Sequence, residues 1–83
     1  MRNYNSGDFE KVIGGDFSVR IFANTENGDV KVAVCDDGGI KAEVAIAGVA
    51  HGYHHDWTWE RASYVQCGED EFLRVSALLK EAL

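Results

Sequence analysis

From Phe17 to Ala47 apolar and polar residues alternate with period two, the pattern of strands that bury one face and wet the other. Three strands follow. The first places Phe17, Val19 and Ile21 on one face with Ser18 and Arg20 opposite. The second points Val30, Val32 and Val34 inward and Lys31, Ala33 and Cys35 outward, and the third runs through Ile40, Ala42, Val44 and Ile46. Asn27-Gly28 separates the first pair and Asp36-Asp37-Gly38-Gly39 the second. Both stretches tolerate the positive φ angles of tight turns, so two hairpins in series are predicted. A fourth strand is predicted within Asp56 to Cys67, where Trp57 and Trp59 share a face and Tyr64-Val65 adds β-favouring bulk. Strict alternation from the tryptophans would turn Arg61 inward, so a bulge or kink is expected near Arg61-Ala62.

After Cys67 the period changes to that of a helix. Between Asp70 and Leu83, Phe72, Val75, Leu79 and Leu83 form one stripe, flanked by Leu78 and Ala82. Gly68 can open this helix, and Glu69, Asp70 and Glu71 fill its first turn, where the helix dipole favours carboxylates. A short helix is predicted at Asp8 to Ile13 from the spacing of Phe9, Val12 and Ile13, with Gly14-Gly15 as its stop. The expected fold is α+β: a four-stranded antiparallel β-meander with a C-terminal α-helix packed on one face. It spans residues 1–83 as a single compact domain, with 1–7 as a flexible lead.

Charge narrows the function. Eight Lys and Arg face fourteen Asp and Glu, a formal net charge of −6, which counts against direct binding to nucleic-acid phosphates because that needs clustered bases. No apolar run approaches the roughly 18 residues of a membrane span. Met1 to Gly7 carries no apolar signal region, so the expected location is the cytoplasm. In that reducing compartment Cys35 and Cys67 are expected as free thiols.

Catalytic and cofactor motifs are absent: neither G-x-S-x-G nor G-x-x-x-x-G-K-[ST] occurs, and no cofactor is expected. Gly14-Gly15-Asp16-Phe17 resembles the start of the diguanylate cyclase signature. The motif's second acidic residue is missing, however, and those domains are much longer, so a helix stop followed by a turn accounts for it better. Asn24 to Asp29 suggests a calcium loop, but alignment on Gly28 puts Ala23 and Val34 at ligand positions.

All three histidines fall in His51-Gly52-Tyr53-His54-His55-Asp56. His51, His54 and His55 with Asp56 or Cys67 are the candidates for a zinc site, although a single cluster without a second ligand pair is not a zinc signature. The simpler expectation is no metal, with the loop as surface or partner contact. Tyr53 and Trp57 are candidate contact residues, since Trp and Tyr dominate binding hot spots when they stand on an outer face.

In an up-and-down meander successive connections alternate between the two ends of the sheet. Asp16, Asp36, Asp37, Glu69, Asp70 and Glu71 are therefore expected at one end, with Glu26, Asp29 and the histidine loop at the other. Solvated turns and a capped helix explain these acids in part. Their convergence also describes an acidic face for a basic partner.

The small size, acidic charge and lack of a catalytic motif are similar in class to those of phage-encoded inhibitors of bacterial defence, anti-CRISPR proteins included, without a residue motif of any one family. That class implies a non-enzymatic binding protein that docks on the basic surface of a larger, nucleic-acid-handling protein. The alternatives are a metal- or ligand-binding domain built on the His51–Asp56 loop, and a small homo-oligomerising module that uses its sheet edges.

Overall fold

The computed structural model describes residues 1–83, in the order β1 (Arg2–Asn5), α1 (Ser6–Ile13), β2 (Ser18–Asn24), β3 (Val30–Asp36), β4 (Gly39–Ile46), β5 (Val49–His51), β6 (Trp59–Ala62), β7 (Tyr64–Cys67) and α2 (Glu69–Glu81). As the alternation predicts, β2, β3 and β4 pair antiparallel in succession, with Val19, Ile21, Val32 and Val34 inside the core. The class is α+β, with α2 packed on a four-stranded antiparallel sheet.

The strand order departs from a simple meander. The sheet runs β4-β3-β2-β6, so the fourth strand joins β2 at the far edge and leaves β4 unpaired on its outer side. The predicted fourth strand is in fact two. β6 ends at Ala62, the chain turns at Ser63, and β7 enters a second sheet of order β1-β7-β5. The expected kink near Arg61-Ala62 is this transfer, and it lets Val65 and Cys67 become fully buried. Gly52 holds the turn closed: its φ is +75°, and a Cβ there would collide with Ser63 Oγ. Ser63 N–H in turn donates to the His51 carbonyl at 2.9 Å.

Residues 1–7 are not a flexible lead. Arg2 to Asn5 pairs with Cys67 to Tyr64, and Tyr4 is 3% exposed, stacked on Phe72 at 4.0 Å. The polar sequence Arg-Asn-Tyr-Asn hides this strand because only one of its side chains points inward. Asn5 then caps α1: it accepts from Asp8 N–H at 3.0 Å, and Asp8 accepts from Asn5 N–H at 2.9 Å, a capping box that satisfies two helix-start donors. Gly14, at φ +75°, ends the helix with its N–H on the Glu10 carbonyl.

Two further details depart from the simple pattern. Ala33 and Cys35 point away from the helices yet are buried, because small side chains there are flanked by longer ones such as Arg20 and Glu43 opposite Ala33. The register between β3 and β4 shifts between Val34 and Cys35, which takes Ile40 out of phase and leaves it 53% exposed. On α2 the buried stripe is Phe72, Val75, Ser76 and Leu79, while Leu83 lies past the helix end and is exposed.

Both helices lie on the same face of the four-stranded sheet, α1 over β2 and α2 over β4 and β3. Leu79 is fully buried at the centre of this layer. Leu79→Ala is expected to cost about 2–5 kcal/mol in urea unfolding, a large part of the stability of so small a domain. An unchanged midpoint would mean that α2 does not seal the core.

Candidate functional site

The β3–β4 turn gathers the first part of the expected acidic face. Asp36 pairs with Gly39 across the turn, and Gly39, at φ +110°, takes a backbone angle that side chains rarely adopt. Asp36 Oδ1 accepts from Gly38 N–H at 2.7 Å and lies 3.6 Å from Lys41 Nζ. Beside it, the stretch between α1 and β2 brings in Asp16 and Phe17. Together these residues line a shallow cleft of about 310 Å³. The three ion pairs of the molecule are Lys31–Glu43, Lys41–Asp36 and Arg74–Glu71, so Asp16 and Asp37 have no cationic partner and the cleft carries excess negative charge.

Glu69, Asp70 and Glu71 do not join this cleft. Glu71 accepts from Ala47 N–H at 2.7 Å, just past the end of β4, whereas Asp36 and Asp37 stand at the start of that strand. At about 3.3 Å per residue the two places are roughly 25 Å apart. The six-carboxylate convergence depended on the meander order, and the transfer of the chain to the second sheet at Ser63 removes it.

The helix acids have a different use. Glu71 is chelated by Arg74, with Nε to Oε1 at 2.6 Å and Nη2 to Oε2 at 2.8 Å, while also holding Ala47. These bonds, first from the Arg74 side chain and then from the Ala47 backbone, lower its carboxyl from the ordinary 4.5 to about 2. The tether fixes the start of α2 to the β4–β5 connection. The link to Ala47 spans 24 residues, too far for local patterning to signal it.

The aromatic loop also stands at the end away from Asp36 and Asp37. Thr25 in the β2–β3 turn anchors it, with Oγ1 on the Trp57 carbonyl at 2.7 Å and N–H on the Thr58 carbonyl at 2.9 Å. Trp57 is 74% exposed, while Tyr53 is half-buried against the core and tilted on His55. Asp16, Asp36 and Asp37 thus form one group and Tyr53 and Trp57 another.

The zinc candidates are not assembled. No three His, Cys, Asp or Glu side chains come together in a metal-holding group. His51 stacks on Tyr64 at 5.0 Å, and His54, His55 and Asp56 are exposed along the loop. Cys67 is fully buried, and burial, with the Glu71 charge second, pushes its thiol up, away from the thiolate that ligation needs. Cys35 and Cys67 are both free thiols.

No helix is long and apolar enough to cross a membrane. The chain matches no protein-family model, no curated protein and no solved structure.

The Glu71 tether yields a pH prediction. Because its carboxyl is lowered on folding, the stabilisation is fully present above about pH 4.5 and is lost as pH falls toward about 2. Glu71→Gln is expected to lose on the order of 1 kcal/mol near neutrality, a charge-assisted bond discounted for partial solvent screening. Urea unfolding of both proteins from pH 7 to pH 2 checks this: the two stabilities should converge toward the acid end. A constant difference would mean that the charge of Glu71 does not hold the helix.

Proposed function

We propose that the chain is a small, non-enzymatic binding protein that docks its β3–β4 hairpin end on a basic surface of a larger, nucleic-acid-handling protein. Its carboxylates there take the places of phosphates. The observation that carries this reading is the cleft of Asp16, Asp36 and Asp37 with only Lys41 to balance it. A protein of net charge −6 that presents unpaired carboxylates beside a hydrogen-bonded turn steers toward cationic surfaces and makes charge-assisted bonds on arrival. A phage-encoded inhibitor of bacterial defence, of the anti-CRISPR kind, is the biological class this reading favours.

A second reading rests on β4. This strand is eight residues long, and its outer edge pairs with nothing in the chain, so a second copy can add to it. Light scattering over a range of concentrations tests it: concentration-dependent dimerisation would favour that reading over the first.

The test uses immobilised chain and a nuclease-treated lysate of its host. A specifically retained protein should be released by added DNA or RNA and by raised salt, since exposed charge pairs are screened beyond about 8 Å at physiological ionic strength. Asp16→Lys with Asp37→Lys is the informative variant because it spares the Asp36 cap on Gly38. It is expected to weaken capture by about tenfold or more with an unchanged melting profile. Capture that survives the double reversal, or that nucleic acid does not displace, would overturn the proposal.

A further inference from the structure

The open face of the four-stranded sheet, away from the helices, carries a second groove of about 500 Å³ at the end remote from the acidic cleft. Register sets its walls. Asn24 pairs with Trp59 and Phe22 with Lys31, so the side chains of Trp59, Phe22 and Lys31 share this face, and Glu43 joins them from β4 opposite Ala33. Lys31 Nζ lies 4.3 Å from the Trp59 ring centroid, 5.8 Å from that of Phe22 and 3.3 Å from Glu43 Oε2. Asp29, in the groove wall, takes part in none of the ion pairs.

We infer that this groove binds the guanidinium of an arginine side chain from a partner protein, stacked on Trp59 and bonded to the carboxylates of Glu43 and Asp29. Lys31 shows what the site accepts: a single ammonium touches an indole face and a carboxylate at once, so the two are spaced for one cationic group. That resident cation leaves the groove unfilled and its lining unbalanced, with Arg20 and Arg61 on the same face but outside the lining. Lys31 offsets one of the two carboxylates, and a cavity far larger than a guanidinium remains beside it. Arginine fits better than lysine because its planar, weakly hydrated group stacks on an aromatic face and engages carboxylates through two parallel bonds. The ion pair it displaces or shares is cheap, since the Glu43 side chain is 45% exposed.

From the proposed function the inference takes only the basic character of the partner. It is tested with a small probe, so failure of the groove leaves the hairpin reading intact, and failure of the hairpin leaves the groove.

The experiment is a titration of isotope-labelled full chain with N-acetyl-arginine amide, followed by the two indole N–H signals in ¹H–¹⁵N spectra. Trp57, 74% exposed and outside the groove, is the internal control. The Trp59 signal is expected to shift saturably while that of Trp57 does not. The uncharged isostere N-acetyl-citrulline amide should give no saturable shift. Trp59→Leu should weaken binding about two- to fivefold, read on the backbone amides of Lys31 and Glu43, the worth of an exposed cation–π contact. Lys31→Met, which removes the resident cation and keeps an apolar stem of similar length, should tighten binding. An unmoved Trp59 signal, equal shifts of both indoles, or equal binding of citrulline would overturn the inference, and the wild-type titrations decide it even if a variant fails to fold.

Discussion

Tyr4, Phe9 and Phe72 meet where β1, α1 and α2 converge, and the rest of the architecture depends on that junction. Tyr4 stacks flat on Phe72 at 4.0 Å, and Phe9 leans against the same ring at 4.8 Å. The small sheet of β1, β7 and β5 is too short to bury a face of its own. It persists because β1 carries Tyr4, and β7 carries Val65 and Cys67, into the core that the helices form with the larger sheet. The molecule is only 17 Å along its shortest axis, and the aromatic junction and Leu79 belong to one buried cluster. The hydroxyls of Tyr4 and Ser76 are buried without partners, a cost this packing carries.

Where an element depends on near neighbours, the sequence was readable. The alternation of β2 and β3, the Asp36–Gly39 turn, the glycine stop of α1 and the apolar stripe of α2 all follow from residues within a few positions of each other. Pairing over long separations was not. Nothing in Trp59 to Ala62 states that it pairs with β2 rather than β4, and Arg2 to Asn5 carries one inward side chain, too few to register as alternation. The site inherited the same limit. Asp16 with Asp36 and Asp37 was legible because one turn and the neighbouring strand start bring them together. The place of Glu69 to Glu71 is not legible locally, because it depends on the transfer of the chain from β6 into the second sheet at β7. Lys31 and Trp59 become neighbours only once β6 is known to flank β2.

The resulting charge layout is uneven in kind as well as in place. At the α2 start, Glu71 is spent on Arg74 and Ala47, an internal fastening that leaves little for a partner. At the hairpin end the carboxylates of Asp16 and Asp37 take part in no ion pair, and the Asp36 side chain holds the turn through Gly38 N–H. The two groups of acids thus differ in their surroundings: Asp16 and Asp37 are exposed without an ion pair, whereas Glu71 is held by Arg74 and Ala47.

The outer edge of β4 is open. An unpaired eight-residue strand would template self-association if it were flat and apolar along its length. It is neither. The register shift between Val34 and Cys35 bends the hairpin-proximal half, and Lys41 stands there with its charge anchored to Asp36. Both are features that blunt sheet edges, and both lie beside the acidic cleft, so a second copy approaching along β4 would also bring Asp36 and Asp37 toward like charge unless it paired in a register that keeps the two hairpin ends apart. A copy paired antiparallel along β4 keeps the two hairpin ends apart, so the acidic turn disfavours only those registers that bring Asp36 and Asp37 of both copies together.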